Sequence, residues 1–424
     1  MAGTAFADGH DKALDQRLQT IADQIEPEII AWRRHFHEFP ELSTQEFKTA
    51  EKIVAELKAM GLDPITKFGG TGVVAFLEGG HPGPLVALRA DMDGLPVEEQ
   101  VDLPFASKAR GEYQGKDVPV MHACGHDTHM AMLLGAVKTL VSVRESLHGS
   151  VMIIFQPAEE GAPVGETAGA ERMLAEGLFD ERKPDVIFGL HTFSNLPAGM
   201  IGYRSGPAMA SADYFSITVN GKQTHGSRPW GGVDPIVTAA QIIMGVQTIA
   251  SRQVDVTKAP SVVSFGQING GVRNNIIPDT VELVGTIRNF DMDIRADIHK
   301  RLKHTAETIA EAAGATADVV VDLGYPVTVN DPALTAQMLP TVQRVLGADK
   351  VIETPLVTGA EDFSFFALEV PGLFLYLGGA PADVDPATAP SNHSPLFYVD
   401  ESTLKPGVNV LTHLVTDYMA QAAK

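Results

Sequence analysis

A two-domain α/β fold, with a smaller domain inserted into a larger one, is predicted by three features of this 424-residue sequence. Short apolar runs at 73–77, 85–88, 151–155 and 186–190 alternate with helical patterns, as expected for buried strands of a mainly parallel sheet. From about Gly206 the order changes to βαββαβ, a ferredoxin-like unit, with strands at 214–219, 261–268, 280–288 and 317–323 and helices at 233–249 and 294–313. After about residue 325 the α/β pattern resumes, so the unit is inserted rather than appended. The expected domains are 1–205 with 325–424, and 206–324.

Taken in order, residues 14–37 form a helical pattern ending in Trp32-Arg33-Arg34-His35-Phe36-His37, with the aromatic residues assigned to the core. Ser43 or Thr44 reads as the cap of the next helix, whose buried stripe is Phe47, Ile53, Val54 and Leu57, stopping at Gly61. The strand at 85–88 runs into Arg89-Ala90-Asp91-Met92-Asp93, that at 151–155 into Gln156-Pro157-Ala158-Glu159-Glu160, and that at 186–190 into His191. Ligands of α/β sheets collect at the carboxyl ends of strands, so these tips are expected to face one crevice. After the inserted unit come a helix at 332–346, strand-like segments at 351–357 and 373–377, a loop carrying Asn392-His393-Ser394 and a last helix at 404–422.

The stretch Met121-His122-Ala123-Cys124-Gly125-His126-Asp127-Thr128-His129 holds the sole cysteine beside three of the fourteen histidines. Cys124 and His126 flank a glycine, a spacing at which a thiolate and an imidazole can turn toward one metal ion. The apolar run at 130–140 has helical spacing, which places the pair on a turn leading into a helix.

A net charge of −21 excludes nucleic acid and an anionic membrane as partners, because both demand a basic face. No apolar run approaches the roughly 20 residues of a membrane span. One cysteine forms no internal disulfide, so the redox compartment stays open. Ala5-Phe6-Ala7 has the small-x-small pattern of a signal-cleavage site without the charged and apolar segments that should precede it. The sequence as it stands is expected in the cytoplasm, or in the periplasm or outside the cell if this start is a truncated export signal.

The motifs RADMDGLP, MHACGHD, FQPAEEG, GLH, HGSRP, NIIPD, GTIRNFD, GAEDFS and NHSP, spread over about residues 32–400, resemble in order and spacing the zinc-type metallopeptidase-like amidohydrolases. That family includes hippurate hydrolase, aminoacylase and the plant indole-acetyl-amino-acid hydrolases. The resemblance implies a catalytic α/β domain, a satellite domain that mediates homodimerisation, and two divalent metal ions per subunit. Its metal ligands would be Cys124, His126, Glu160, His191 and His393, with Glu159 as general base. It implies that His225 stabilises the oxyanion from a partner subunit and that Asn275 and Arg288 receive the substrate carboxylate, although Arg288 could instead hold the satellite sheet together. Distant relatives carry a histidine ligand where this chain has Asp91, which favours the branch with a cysteine ligand. Asp91, Asp93 and Asp127 then orient the ligands from behind.

Imidazole, thiolate and carboxylate suit zinc, and also manganese, cobalt or nickel. The expected activity is hydrolysis of the amide bond of a small-molecule N-acyl amino acid, with a benzoyl, acetyl, indole-acetyl or longer acyl group. The alternatives are a dipeptidase or carboxypeptidase using the same metals, and a non-catalytic metal- or ligand-binding protein.

Overall fold

The structure, a computed structural model, describes residues 11–161 and 166–422. Ala5-Phe6-Ala7 lies outside them. The chain divides into two compact units, Met1–Gly206 with Asn330–Thr354 and Phe365–Lys424, and Pro207–Val329 with Pro355–Ser364.

The first unit is built on a seven-stranded sheet in the order Val73–Glu78, His148–Gln156, His81–Asp91, Val186–Pro197, Gly372–Ala380, Ile201–Tyr203, Val351–Glu353. Its four middle strands pair in parallel, and Val73–Glu78 closes one side antiparallel. The runs Val86–Asp91 and Val151–Gln156 are buried at every residue, as a sheet covered on both faces requires. The helices Lys12–Glu38, His126–Ser142 and Leu404–Ala422 pack on one another and share a core with these strands, through Ile29, Met130, Leu134, Val137, Val408 and Leu411 among others. Asp11 caps the first helix, accepting the N–H groups of Ala13 and Leu14. Trp32 and Phe36 are core residues, and Arg33 and His37 are buried with them. Among the described residues no helix is long and apolar enough to cross a membrane.

Several local expectations need correction. The second helix runs Phe47–Ala59 with Glu46 at its N-cap, not Ser43 or Thr44. The Ser43 hydroxyl donates instead to Asp93 at 2.7 Å, and Glu41 accepts the N–H of Thr49 at 2.8 Å, supplying the cap from outside the helix. Phe47 is 63% exposed, so the buried stripe there is Ile53 and Leu57 without it. The strand expected to stop at residue 190 continues to Pro197, because parallel pairing with Gly372–Ala380 extends past His191. The strand expected at 351–357 is only Val351–Glu353. Residues 355–364, expected in the larger domain, group with the second unit, where Val357 exchanges backbone hydrogen bonds with Ala208 and Ala210 at 3.0 Å.

In the second unit the strands Ser211–Asn220, Ser261–Gly270, Thr280–Asn289 and Thr316–Leu323 and the helices Pro235–Thr248 and Met292–Ala312 follow the order βαββαβ. The sheet order is Ser261–Gly270, Thr280–Asn289, Ser211–Asn220, Thr316–Leu323, with every neighbouring pair antiparallel. Phe215, Ile217, Val219, Leu283 and Ile287 form one core with Ile242, Val246, Ile298 and Leu302 of the helices. Buried Asp213 ties sheet to helix. Its carboxylate accepts from Arg295 Nε at 2.8 Å and Nη2, from His299 Nε2 at 2.8 Å and from the Gly324 N–H at 3.2 Å.

Burial opposes the charge on Asp213, but the Arg295 and His299 contacts outweigh it and hold the carboxyl at about 2. A carboxyl depressed on folding stabilises above its unfolded value of about 3.9 and loses that contribution as pH falls toward the folded value. Asp213→Ala is expected to destabilise this unit by roughly 3 kcal/mol at pH 7, because it strands a buried guanidinium. In urea unfolding followed by tryptophan fluorescence and circular dichroism, the difference between variant and parent should shrink on acidification below about pH 4. A difference that grows there contradicts the assignment.

Candidate metal centre

The strands His81–Asp91, His148–Gln156 and Val186–Pro197 are neighbours in the sheet, so the segments that follow the first two and His191 within the third come together. The fourth contributor is the turn at Cys124. Gly125 sits at φ 101°, a left-handed conformation that a side chain would strain, and it starts the His126–Ser142 helix. Cys124 and His126 are thereby set on either side of the turn, and both are buried.

Around this turn the structure gathers four overlapping sets of side chains whose ligand atoms lie within 4.8 Å of one another: Cys124, His126 and His191; Cys124, Glu160 and His393; His126, Glu159 and Glu160; and Asp91, His126 and His129. Cys124 is common to the first two, so its Sγ stands between one group of imidazoles and another made of Glu160 and His393. His191 Nε2 is 3.4 Å from that sulfur, and His393 Nε2 is 3.1 Å from Glu160 Oε1. His126 Nε2 has Asp91 Oδ1 and Glu159 Oε2 at 3.8 Å and Glu160 Oε1 at 3.9 Å.

What surrounds these groups fixes their orientation. His126 Nδ1 lies 2.8 Å from the Asp93 carbonyl and His191 Nδ1 lies 3.0 Å from the Thr192 carbonyl. A carbonyl only accepts, so both rings carry hydrogen at Nδ1 and turn Nε2 toward the cluster. His126 Nε2 is buried without a hydrogen-bond partner, as a lone pair reserved for a cation would be. His129 differs: its Nε2 accepts the Thr192 N–H at 2.8 Å, and its Nδ1 is 2.5 Å from Asp91 Oδ1, so both nitrogens are committed. Arg89 holds the other oxygen of Asp91 at 2.6 Å. His393, at φ 71°, is tied to the cysteine turn through its N–H to the Ala123 carbonyl at 2.7 Å. Asn392 Nδ2 bonds the carbonyls of Cys124 and Thr192, each at 3.0 Å.

The two glutamates share one clamp. Asp93 Oδ1 accepts the Glu159 N–H at 3.1 Å, and Oδ2 accepts the Glu160 N–H at 3.0 Å. Asp127 faces away from the cluster: it accepts from Arg33 Nε at 2.9 Å and His37 Nδ1 at 2.8 Å, and His37 Nε2 reaches Glu99 at 3.0 Å. Burial works against the Asp127 charge, but Arg33 and His37 hold it well below the usual carboxylate range.

The electrostatics favour cations. Burial alone would lower the His126 imidazole, yet Asp91, Asp93 and Glu160 carry it up to about 10. Burial, followed by the Glu160 and Glu159 carboxylates, pushes the Cys124 thiol well above its ordinary range. Such a field holds protons only because it is short of positive charge, and a thiolate, imidazoles and carboxylates together suit divalent transition metals. The residues present therefore fit a metal centre.

His225, Asn275 and Arg288 belong to the second unit. Thr224–His225 pairs with Ile276–Ile277, and the Gly226 N–H donates to the Asn275 carbonyl at 2.8 Å, so the HGSRP and NIIPD segments meet. His225 is exposed, and its Nδ1 accepts the Ser227 N–H at 3.0 Å, which leaves the hydrogen of the neutral ring on Nε2. Arg288 is half-buried in the Thr280–Asn289 strand, opposite Ala212 and Val262. Glu361 and Asp362 are buried in the same unit. Glu46 and Glu99 give no signal in the sequence, because an acidic residue near a helix start or in a loop is ordinarily solvated.

Residues 87–417 match the model of peptidase family M20/M25/M40. The chain is 40% identical over 396 residues to a protein of Saccharolobus solfataricus named thermostable carboxypeptidase 1, covering 93% of this chain and 96% of that one. It is 38% identical over 380 residues to N-acetyl-L-cysteine deacetylase of Bacillus subtilis, covering 90% and 85%. Its fold matches the crystal structure of the Bacillus subtilis YXEP protein, described as a dinuclear metal binding peptidase from the M20 family, with a TM-score of 0.78 at 33% identity, covering 94% of this chain and 99% of that one. On the extent of these matches, this chain belongs to peptidase family M20/M25/M40.

Proposed function

We propose that this protein is a metal-dependent amidohydrolase that cleaves N-acyl amino acids to a carboxylic acid and a free amino acid. One observation carries the reading most directly: Cys124 belongs at once to the group with His126 and His191 and to the group with Glu160 and His393, beside an adjacent second glutamate. Such a set would hold two divalent ions, with Cys124 within reach of both groups and Glu159 left over for proton transfer. The ligands would be Cys124, His126, Glu160, His191 and His393, and the ions two zinc or manganese, with cobalt or nickel also suited. The name of the 38% identical deacetylase supports the acyl substrate, and the dinuclear description of the YXEP protein supports the paired ions.

When bound, the ions supply Lewis acidity that lowers the pKa of water and polarises the amide carbonyl. Glu159 takes the proton from the attacking water and returns it to the leaving amine. Glu160 and His393, in contact at 3.1 Å, would hold one ion, and the Nδ1-anchored rings of His126 and His191 would hold the other. His225 presents Nε2–H as a donor to the tetrahedral oxygen from a partner subunit. Asn275 and Arg288 receive the substrate carboxylate. The second unit is read as a ferredoxin-like satellite domain, 206–324 in the chain, through which the homodimer forms, with 1–205 and 325–424 as the catalytic domain.

A second reading, a carboxypeptidase or dipeptidase at the same centre, is favoured by the name of the 40% identical relative. The two are separated by measuring free amino acid released from N-acetyl, benzoyl and indole-acetyl amino acids and from dipeptides, on protein stripped with chelator and reloaded with zinc, manganese or cobalt. Metal-restored cleavage of the acylated substrates is expected. Cleavage of peptides alone would move the assignment to the peptidase, and no cleavage with two ions bound would remove the enzyme reading.

Removing Glu159 as Glu159→Gln is expected to keep the metal content and to lower kcat by three orders of magnitude or so. Near-full turnover would contradict its role. Cys124→Ala should reduce both metal occupancies in elemental analysis after dialysis, whereas His393→Ala should reduce one. Equal single losses in both variants would exclude a shared thiolate. Mixed dimers of His225→Ala and Glu159→Gln chains, each inactive alone, should regain part of the activity; no recovery would place His225 in its own subunit's site.

A further inference from the structure

We propose that Glu46 is a positioning residue whose carboxylate fixes the Ala158 peptide and thereby aims Glu159 and Glu160. The inference rests on the reading that those two glutamates serve as base and ligand.

Ala158 is held at φ 52°, in the left-handed region that a residue with a Cβ enters at a cost, and it is buried. A strained alanine directly before the glutamate pair persists only if something fixes it there. Glu46 Oε1 accepts the Ala158 N–H at 2.9 Å, and Glu46 Oε2 accepts the Thr71 hydroxyl at 2.6 Å. The next two N–H groups, of Glu159 and Glu160, go to the two oxygens of Asp93, whose Oδ2 also takes the Ser43 hydroxyl at 2.7 Å. Three successive N–H groups thus form an anion-binding turn filled by two of the protein's own carboxylates.

The position of Glu46 is otherwise hard to explain. It occupies the N-cap of the Phe47–Ala59 helix, yet its side chain makes no capping bond there. It is fully buried near a second buried carboxylate, Asp93, an arrangement unfavourable for stability. A local conflict of this kind is expected where geometry at a site is worth more than stability. Asp93 alone leaves the first N–H of the turn unheld, and Ala158 could then relax to negative φ, rotating the next two residues and moving their carboxylates away from the cluster.

The test uses the full-length metal-loaded protein. Glu46→Ala is expected to lower kcat by about 10- to 100-fold and to weaken metal retention at the Glu160 position, with KM near that of the parent. Adding Ala158→Gly, which removes the cost of positive φ, should recover much of that loss, while Ala158→Gly alone stays within about threefold of the parent. Glu46→Gln keeps an acceptor for the Ala158 N–H and should retain most turnover. An unchanged kcat in Glu46→Ala, or a loss that Ala158→Gly does not relieve, overturns the proposal. If Glu46→Ala does not fold, Glu46→Asp, shorter by one methylene, reads the same loss and the same rescue. Failure of the parent itself to cleave any amide would instead sink the functional reading, so the two failures are distinct.

Discussion

Asp93 is the contact on which the candidate centre depends. Its carbonyl engages His126 Nδ1 at 2.8 Å, its two carboxylate oxygens hold the N–H groups of Glu159 and Glu160, and Ser43 donates to it at 2.7 Å. A single residue just past the His81–Asp91 strand therefore fixes the tautomer of an imidazole from a helix and the direction of two carboxylates from a neighbouring strand end. Its own charge is kept by these bonds, which more than offset the burial that would otherwise raise its carboxyl. Without such a joint the turn at Cys124 and the turn at Ala158 would be set independently, and donor atoms within 4.8 Å of one another would be fortuitous.

The same region carries an electrostatic cost. Asp91, Asp93, Glu159, Glu160, Cys124 and Glu46 crowd a buried volume whose positive charge comes from Arg89 and from imidazoles. In a chain of net charge −21 this is unfavourable unless cations complete the site. The arrangement is thus poor as a stabilising core and suitable as a cation receptor. Behind it, Arg33 and His37 join Asp127 to the first helix, so the turn at His126 and the long N-terminal helix are locked by a buried ion pair.

Much of this was legible in the sequence for a physical reason. Fully buried strands must be apolar along their whole length, so 85–88, 151–155 and 186–190 declared themselves, and Glu160 and His191 just past two such runs, with Cys124 on a turn into a helix, are residue types that rarely coincide by accident. What stayed hidden depends on partners distant in the chain. The strand residues after His191 are held by Gly372–Ala380, and their own pattern, Thr192-Phe193-Ser194-Asn195, gives no strong signal. The charged hairpin of Arg110–Tyr113 with Lys116–Pro119 has no apolar alternation to reveal it. Phe47 misleads because its hydrophobicity fits the helical period, whereas the turn from Glu41 to Glu46 leaves it facing solvent. Glu46 looks like a helix-start acid in sequence, and only its bonds to Ala158 and Thr71 mark it otherwise.

Where the ions bind is the most direct test of a shared thiolate. Anomalous diffraction at the zinc edge, on crystals of zinc-loaded protein, is expected to show two peaks about 3.5 Å apart. Both should lie within bonding distance of Cys124 Sγ, one toward His191 and the other toward Glu160 and His393. A single peak, or two peaks that do not share the sulfur, would contradict it.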